Sequence, residues 1–230
     1  MILAIFDLDD TLTLQDTESL WQEYLVVQGL IDHHIFNVKR EEFQHAYHEG
    51  RLKFDDVITF SMGPIASLSY QEQLALQQDF AKNHLKKIII PQAQQLVKSH
   101  YDRGHHILIL SAGHEFLIEP ACEYFETHDI LCSKLARDPS GKYHPFLKGS
   151  PLYRTQKVHA LLSWMTQNNV RPLTSYFYSD SINDLPLLEY VQIPTAVNPC
   201  PKLRVVAQAR NWPILELKQE YVIQLSLRSY

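Results

Sequence analysis

Apolar and polar residues follow one another along this chain in segments that predict strands and helices in turn. Residues 1–6 form a continuous apolar run, which is typical of a parallel strand buried on both faces. Later runs of strand length occur at 105–110, 175–180, 193–197 and 214–217. Helical periodicity fills most of the sequence between these runs. Strands alternating with helices predict right-handed crossovers and a mostly parallel sheet.

The segment after the first strand has helical patterns and no convincing strand. Apolar positions at helical spacing begin after residue 16, and further helices are predicted over 52–58 and 71–85. Strand–helix alternation resumes near residue 88. We therefore predict an α/β fold: a Rossmann-like parallel-sheet core, residues 1–13 and 88–230, with an inserted helical cap, residues 14–87.

The remaining core elements are predicted from turn and helix signals. Helices are expected over 91–104, 114–125 and 153–167. A turn at 138–141 predicts a hairpin that pairs residues 130–135 with residues 143–147. In this interpretation residues 111–113 form a turn between the second strand and its helix.

Composition and charge exclude several classes of protein. The net charge of −5 over 230 residues, without a basic run, gives no electrostatic footprint for nucleic acid. No apolar stretch reaches the roughly 20 residues that span a bilayer, so no membrane partner is expected. The chain enters a strand directly, without a signal peptide, and its three cysteines are scattered. We expect a cytoplasmic protein without disulfides.

Polar side chains stand at the ends of three predicted strands. Asp7 and Asp9 end the first, Ser111 ends the second, and Asp180 ends a later one, with Asp184 close behind. Carboxyl ends of parallel strands meet along one crevice, so these groups should converge. Neighbouring carboxylates repel each other, and a divalent cation offsets that repulsion. Oxygen ligands suit Mg²⁺, which we predict as the cofactor.

The same residues suit phosphoryl transfer. A phosphoryl transition state spreads negative charge over its oxygens, so it needs a cation, an ammonium group and hydroxyl or amide donors. Lys157 and Ser111 can supply the last two, and the free N–H groups of the helix after residue 113 favour an anion. Asp7 is a competent nucleophile that would form an aspartyl-phosphate. Asp9 is placed to protonate the leaving alkoxide and then to deprotonate water.

This set of motifs resembles the haloacid dehalogenase superfamily of phosphatases. The matching segments are residues 7–12, residues 110–113, Lys157 and residues 179–186, in the order of the family. The helical insertion resembles the C1-type cap of the subgroup that contains phosphoserine phosphatase. Residues 20–25, 178–188 and 196–199 are similar to the subfamily IB hydrolases, often described as phosphoserine- or histidinol-phosphatase-like.

The resemblance implies roles for the four aspartates. Asp7 is the nucleophile and a Mg²⁺ ligand. Asp9 is the general acid and base, with its backbone carbonyl on the metal. Asp180 is the second side-chain ligand, and Asp184 belongs to the outer shell of the metal.

It also implies the groups that hold the phosphoryl oxygens. Ser111 and the Ala112 amide bind them, and Asn183 lies near the phosphate. Lys157 offsets charge on both Asp7 and the phosphate.

Two departures from the family pattern concern the first motif and the substrate. Asp10 stands where the family more often has Gly, and we expect it to face away from the site. Phosphoserine phosphatases hold their amino acid with a Glu after the first motif and an Arg in the cap. Asp16 falls near the Glu position, but neither Arg40 nor Arg51 has a matching context. Phosphoserine is therefore only one possible substrate.

Three residues are candidates for substrate contacts. Asp16 either faces the substrate or caps a helix, as does Glu18. His114 follows the phosphate-binding segment and either touches the leaving group or simply begins a helix. Arg154 lies three residues before Lys157, on the same face of a predicted helix, and either contacts substrate or phosphate or lies at the surface.

The sequence thus predicts a Mg²⁺-dependent phosphomonoesterase that acts on a small phosphorylated metabolite beneath a cap. One alternative is a phosphotransferase or mutase on the same fold. A second is a non-enzymatic phospho-acceptor regulatory domain, although such domains lack a cap and an acid two residues after the acceptor. A third is an inactive binding module. The oligomeric state stays open.

Overall fold

The computed structural model describes residues 1–49 and 51–218. Within them a six-stranded parallel sheet has the order β3-β2-β1-β6-β7-β8, which confirms the predicted α/β fold. Its strands are β1 (Ile2–Phe6), β2 (His106–His114), β3 (Asp129–Ser133), β6 (Thr174–Ser179), β7 (Ile193–Val197) and β8 (Ile214–Leu215). Two further strands, β4 (Leu135–Arg137) and β5 (Tyr143–Leu147), form a separate antiparallel pair.

Helices connect these strands. Those before β2 are α1 (Thr17–Val27), α2 (His33–His48), α3 (Phe54–Met62), α4 (Tyr70–Phe80), α5 (Lys86–Ile88) and α6 (Pro91–Tyr101). Those after β2 are α7 (Glu115–Cys122), α8 (Thr155–Gln167), α9 (Leu185–Tyr190) and α10 (Pro201–Ala209). No helix in the described part of the chain combines the length and apolar character needed to cross a membrane.

Strand β1 is buried on both faces, which explains its unbroken apolar sequence. Ala4 and Phe6 point into the larger of two apolar clusters, and Leu3 and Ile5 point into the other. All four side chains are fully buried. Because neighbouring side chains of a strand point to opposite faces, helices on both sides of the sheet leave no polar position in β1.

The helical insertion, residues 14–87, leaves and rejoins the sheet at one place. Thr13 pairs with Ile89 in an isolated antiparallel bridge, and Ile90 N donates to Leu12 O at 3.1 Å. Helix α1 also packs on the core, because the ring centroids of Trp21 and Phe116 are 5.4 Å apart. The first helix of the insertion is therefore fixed to the core by apolar contacts. The division into core and cap at residues 14 and 87 stays a prediction.

The structure corrects three local predictions. Strand β2 continues to His114, with a register shift after Leu110, so residues 111–113 are not a simple turn. Residues 129–133 join the main sheet beside β2, and the hairpin is made by residues 135–137 and 143–147. Arg154 precedes α8 with φ 55°, outside the helix, so it does not share a helical face with Lys157.

Candidate active site

Strand order brings the predicted site together at one edge of the sheet. β1 lies between β2 and β6, and the chain runs outward from β1 in one direction to β3 and in the other to β8. This reversal is the topological switch point at which open α/β sheets bind ligands. Asp7 and Asp9 follow β1, Ser111 lies near the end of β2, and Asp180 follows β6.

Lys157 joins two carboxylates in a buried ion-pair cluster. Its Nζ lies 2.7 Å from Asp7 Oδ1 and 2.7 Å from Asp184 Oδ2, which also accepts the Ser179 hydroxyl at 2.7 Å. Burial acts to lower the pKa of Lys157, but Asp184 and Asp7 outweigh it and hold that pKa above its usual value. Burial raises the pKa of Asp7 to about 6, against the opposing effect of Lys157.

The Thr11 hydroxyl lies between two carboxylates. Thr11 Oγ1 accepts the Asp180 backbone N–H at 3.0 Å, and it lies 3.2 Å from Asp7 Oδ2 and 3.3 Å from Asp180 Oδ1. Burial and the neighbouring Asp7 raise the pKa of Asp180 well above its usual value. Two carboxylates that face one small hydroxyl, with raised pKa values, indicate a place where a cation would relieve electrostatic repulsion.

Asp9 lies against the start of helix α1. Its Oδ1 accepts the Thr17 backbone N–H at 2.8 Å, and its Oδ2 lies 3.4 Å from the Ser111 hydroxyl. A Cβ atom added to Gly113 would lie 3.4 Å from Asp9 Oδ2 and 2.6 Å from the Ile118 side chain, so only glycine fits there without rearrangement. Burial, with the charges of Asp16 and Asp7, raises the pKa of Asp9 well above its usual value.

Hydrogen bonds with β3 and within the segment itself hold residues 111–113, the predicted phosphate-binding segment. The Gly113 N–H donates to Ser111 Oγ at 3.1 Å, and Ser133 Oγ donates to Ala112 O at 2.7 Å. The same Ser133 oxygen accepts the Leu152 N–H at 3.0 Å. The predicted phosphate-binding groups at 111 and 112 therefore lie in an extended segment whose conformation is fixed by hydrogen bonds.

Asp16 and His114 lie at the junction of α1 with the core. Asp16 caps α1, accepting the Ser19 N–H at 2.7 Å, and burial raises the pKa of Asp16 to about 6. His114 is fully buried, and its Nε2 lies 3.0 Å from Glu18 Oε2, although the alignment is too poor for a hydrogen bond. Burial acts to raise the pKa of Glu18, but His114, Ser61 and Gln22 together outweigh it and lower that pKa.

Asn183 is held on both sides of its side-chain amide. Its Oδ1 accepts Arg154 Nε–H at 3.3 Å, and its Nδ2 donates to Tyr47 Oη at 2.8 Å. The structure therefore brings Arg154 to Asn183, whereas Asp184 pairs with Lys157 on the buried side of the same turn. Asp10, with φ 59°, adopts the left-handed backbone that glycine favours, and its carboxylate pairs with Lys218.

Comparisons with known proteins agree with this geometry. Residues 4–189 match the family of haloacid dehalogenase-like hydrolases. The chain belongs to this family. It is 35% identical over 219 residues to a histidinol-phosphatase of Neisseria meningitidis serogroup C (strain 8013), covering 94% of this chain and 99% of that protein.

Two solved structures extend the comparison. A protein of unknown function from Bordetella pertussis Tohama I is 30% identical, with a TM-score of 0.86, over 94% of this chain and 98% of that one. A substrate-bound phosphoserine phosphatase has the same fold, with a TM-score of 0.65 over 97% of both chains at 16% identity. The chain is thus a haloacid dehalogenase-like hydrolase of the phosphatase type.

The donor set suits the magnesium ion that this family generally uses. Asp7 and Asp180 present carboxylate oxygens beside the Thr11 hydroxyl, and Mg²⁺ prefers oxygen ligands with several waters. Among residues 1–49 and 51–218, no three His, Cys, Asp or Glu side chains converge on one metal position. A magnesium ion with two carboxylate ligands, the backbone carbonyl of Asp9 that the resemblance implies, and water would be compatible with that finding.

For three residues of this region, no contact was predicted from the sequence. Thr11 belongs to the first motif, and its position next to the aspartates was the available signal. Thr17 acts through its backbone N–H, which any residue except proline supplies, so no sequence signal marks it. Tyr47 lies on α2 and is distant in sequence from every motif, so only the fold brings it to Asn183.

Proposed function

We propose that this chain is a Mg²⁺-dependent phosphomonoesterase that hydrolyses a small phosphorylated metabolite through an aspartyl-phosphate on Asp7. The observation that carries the proposal is the presence of two carboxyl groups in different surroundings directly after one strand. Asp7 is held by the Lys157 ammonium, and Asp9, two residues later, has a strongly raised pKa. A nucleophile and a proton donor are what phosphomonoester cleavage requires.

In the first step an oxygen of Asp7 attacks phosphorus and the bond from phosphorus to the substrate oxygen breaks. The pKa of about 6 leaves Asp7 mostly ionised at neutral pH. Asp9 donates its proton to the departing oxygen, which leaves as an alcohol. Ser111, the Ala112 amide, Asn183 and Lys157 are the donors proposed for the phosphoryl oxygens, and a bound Mg²⁺ would neutralise further negative charge.

In the second step Asp9, now ionised, accepts a proton from water. The resulting hydroxide equivalent attacks phosphorus, the bond to Asp7 breaks, and inorganic phosphate leaves. Asp9 is then protonated again, which restores the starting state of the enzyme. Contacts with Thr17 N–H and Ser111 keep the carboxyl of Asp9 in one orientation through both steps.

The acidic surroundings of the site favour a substrate with a positive charge. Asp16 lies near Asp9, Glu18 lies near Asp16, and both side chains are partly exposed to solvent. The two insertion arginines that could hold a substrate carboxylate are engaged elsewhere, since Arg51 pairs with Glu49 and the Arg40 guanidinium lies over the Phe36 ring. A phosphorylated amino alcohol without a carboxylate fits better than phosphoserine.

We therefore place histidinol phosphate first among candidate substrates. The relative from Neisseria meningitidis bears the name histidinol-phosphatase and aligns along nearly its whole length. Phosphoserine comes second, because a relative in Mycobacterium tuberculosis bears the name phosphoserine phosphatase, at 25% identity. A cytoplasmic location is part of the proposal. It is supported by Cys122, Cys132 and Cys200, which form no disulfide in the described part of the chain.

The test is phosphate release from a panel of phosphomonoesters with Mg²⁺, including histidinol phosphate and phosphoserine. Asp7→Asn is the test variant, and Asp102→Asn, which removes an exposed surface carboxylate, is the matched control. We expect one preferred substrate, activity in the control and none in Asp7→Asn. Equal transfer to an added alcohol would indicate the phosphotransferase. Stable phosphorylation of Asp7 without turnover would contradict the proposal and favour the regulatory domain.

A further inference from the structure

The Asn183 side-chain amide is hydrogen-bonded through both its oxygen and its nitrogen. Its amide oxygen accepts from Arg154, which comes from the core, and its amide nitrogen donates to Tyr47, which comes from the helical insertion. The backbone is fixed as well, because the Asn183 N–H donates to Ser181 Oγ at 3.2 Å. Removing either side-chain partner leaves the amide group held through only one of its two polar atoms.

The contact between Tyr47 and Asn183 is part of a larger contact across the site. Tyr47 Oη also lies 3.3 Å from Ser181 Oγ, in the same turn of the core. Beside it the ring of Phe54 on α3 lies 5.0 Å from the ring of Tyr153. Helix α2 therefore touches the turn that carries Asn183, and α3 touches the segment just before α8.

Arg154 supports the same amide at a cost in backbone energy. It has φ 55° and ψ −123°, which a residue with a side chain adopts only under constraint from its surroundings. Its guanidinium lies 5.0 Å from the Tyr153 ring centroid and donates to Asn183. The Arg154 side chain is otherwise exposed to solvent, so its burial does not offset the backbone strain.

We propose that Tyr47 and Arg154 are positioning residues, which orient the Asn183 amide for phosphoryl binding only when the helical insertion lies over the core. The inference rests on the proposed function, since it assumes that Asn183 serves a phosphoryl group. Tyr47 then couples the position of the insertion to substrate binding without itself touching the reacting atoms.

A double-mutant cycle of Tyr47→Phe and Asn183→Ala tests the coupling. Tyr47→Phe removes one hydroxyl and keeps the ring, so kcat/KM for the preferred substrate should fall by about three- to tenfold, mainly through KM. In the Asn183→Ala background the same change should have a clearly smaller effect, because the contact with Asn183 is absent and only other contacts of the hydroxyl, such as that with Ser181 Oγ, are lost. Tyr101→Phe, at an exposed tyrosine of α6, is the matched control and should behave as the parent protein.

Binding of inorganic phosphate in the presence of Mg²⁺, followed by calorimetry, provides a readout independent of turnover. We expect the Kd to rise by the same factor as KM in Tyr47→Phe, and to rise by a clearly smaller factor on Tyr47→Phe once Asn183 is alanine. Equal effects of Tyr47→Phe in both backgrounds would show that the tyrosine acts independently of Asn183. That result would overturn the inference.

Arg154 offers a second test in which loss of function separates from loss of stability. Arg154→Gly removes the guanidinium and relieves the strained φ, so its Tm should equal or exceed that of the parent while kcat/KM falls several-fold. Arg154→Lys keeps the charge but lacks the Nε–H donor, and should be as impaired as Arg154→Gly. Full activity of Arg154→Lys would assign a direct charge contact with substrate and overturn the positioning role.

These outcomes separate the inference from the proposed function. A parent protein that hydrolyses phosphomonoesters through Asp7 but gives an additive cycle rejects only the inference. A parent protein that neither hydrolyses phosphomonoesters nor binds phosphate rejects both.

Discussion

Replacing Lys157 with Met should lower the free energy of unfolding, because the buried carboxylates around it lose the ammonium group that compensates their charge. The Lys157 side chain is 2% exposed and donates to Asp7 and Asp184 at 2.7 Å each. Methionine has a similar length and no charge, so the change removes the ammonium with little loss of volume. Breaking a buried ion pair by removing one partner costs about 3–5 kcal/mol, because the remaining charge has no compensation.

The magnitude can also be derived from protonation. Without the ammonium, the folded variant relieves the two carboxylates by protonating one of them. At pH 7 this costs about 4 kcal/mol for a carboxyl whose ordinary pKa is near 3.9, and at pH 5 about 1.5 kcal/mol. The parent protein already bears part of this cost, since the pKa of Asp7 is raised to about 6. With that pKa the parent bears about 3 kcal/mol of the cost at pH 7 and nearly all of it at pH 5, so protonation adds a loss of about 1 kcal/mol at pH 7 and almost none at pH 5.

The sign of the pH dependence follows from the raised pKa. A carboxyl whose pKa is higher in the folded state than in the unfolded state stabilises the fold at low pH, and that contribution is lost as pH rises. The deficit of Lys157→Met should therefore grow from pH 5 to pH 7. Urea unfolding at pH 5, 6 and 7, in metal-free buffer and followed by tryptophan fluorescence, measures it.

Two further variants make the test decisive. Adding Asp184→Asn to Lys157→Met removes the second charge and should recover much of the lost stability at pH 7. Lys98→Met, which breaks the exposed pair with Asp102, should leave the urea midpoint unchanged. A deficit of Lys157→Met that is the same at pH 5 and pH 7 would refute the electrostatic explanation and assign the cost to packing.

Two other predictions concern stability. Thr11→Val is nearly isosteric but leaves the Asp180 N–H without its acceptor, so urea unfolding should show a loss of about 1–3 kcal/mol; an equal loss in Thr166→Val, at an exposed helical threonine, would contradict this. Burial, with smaller effects of Arg103 and His105, lowers the pKa of His100 to about 4. The unfolded chain therefore takes up this proton first as pH falls from 6.5 to 4, and the parent protein should lose up to about 3 kcal/mol that His100→Gln does not lose. Parallel pH–stability curves for the two proteins would refute this.

The convergence of the residues proposed as the catalytic centre could be predicted because these residues carry local signals. Asp7 and Asp9 end a strand whose apolar sequence is unambiguous, and Asp180 ends another. Parallel strands bring such ends to one edge, so convergence followed from the alternation of strands and helices alone. The ion pair between Lys157 and Asp184 was not predicted. An acidic residue at position 184 suits either an ion pair or the outer shell of a metal, and the sequence does not distinguish these two roles.

The errors occurred where long-range pairing outweighed local preference. Residues 111–114 have the composition of a turn, yet His114 pairs with Ser133 and extends β2. Residues 130–135 were predicted in a hairpin, but residues 129–133 pair with β2, which lies earlier in the chain. Arg154 was predicted in a helix because the helical pattern was assigned to residues 153–167, but it has a positive φ, which arginine rarely adopts.

The sequence by itself determined the α/β class, the buried central strand and which residues are proposed as the reacting groups. These depend on apolar periodicity and on the chemistry of a few side chains, which are properties of short segments. Only the tertiary structure decided which groups hold the reacting ones in place. Thr11 between two carboxylates, Thr17 on Asp9 and Tyr47 on Asn183 join segments distant in sequence or act through the backbone. Such contacts depend on how the insertion and the sheet pack together, and residue type records that packing only weakly.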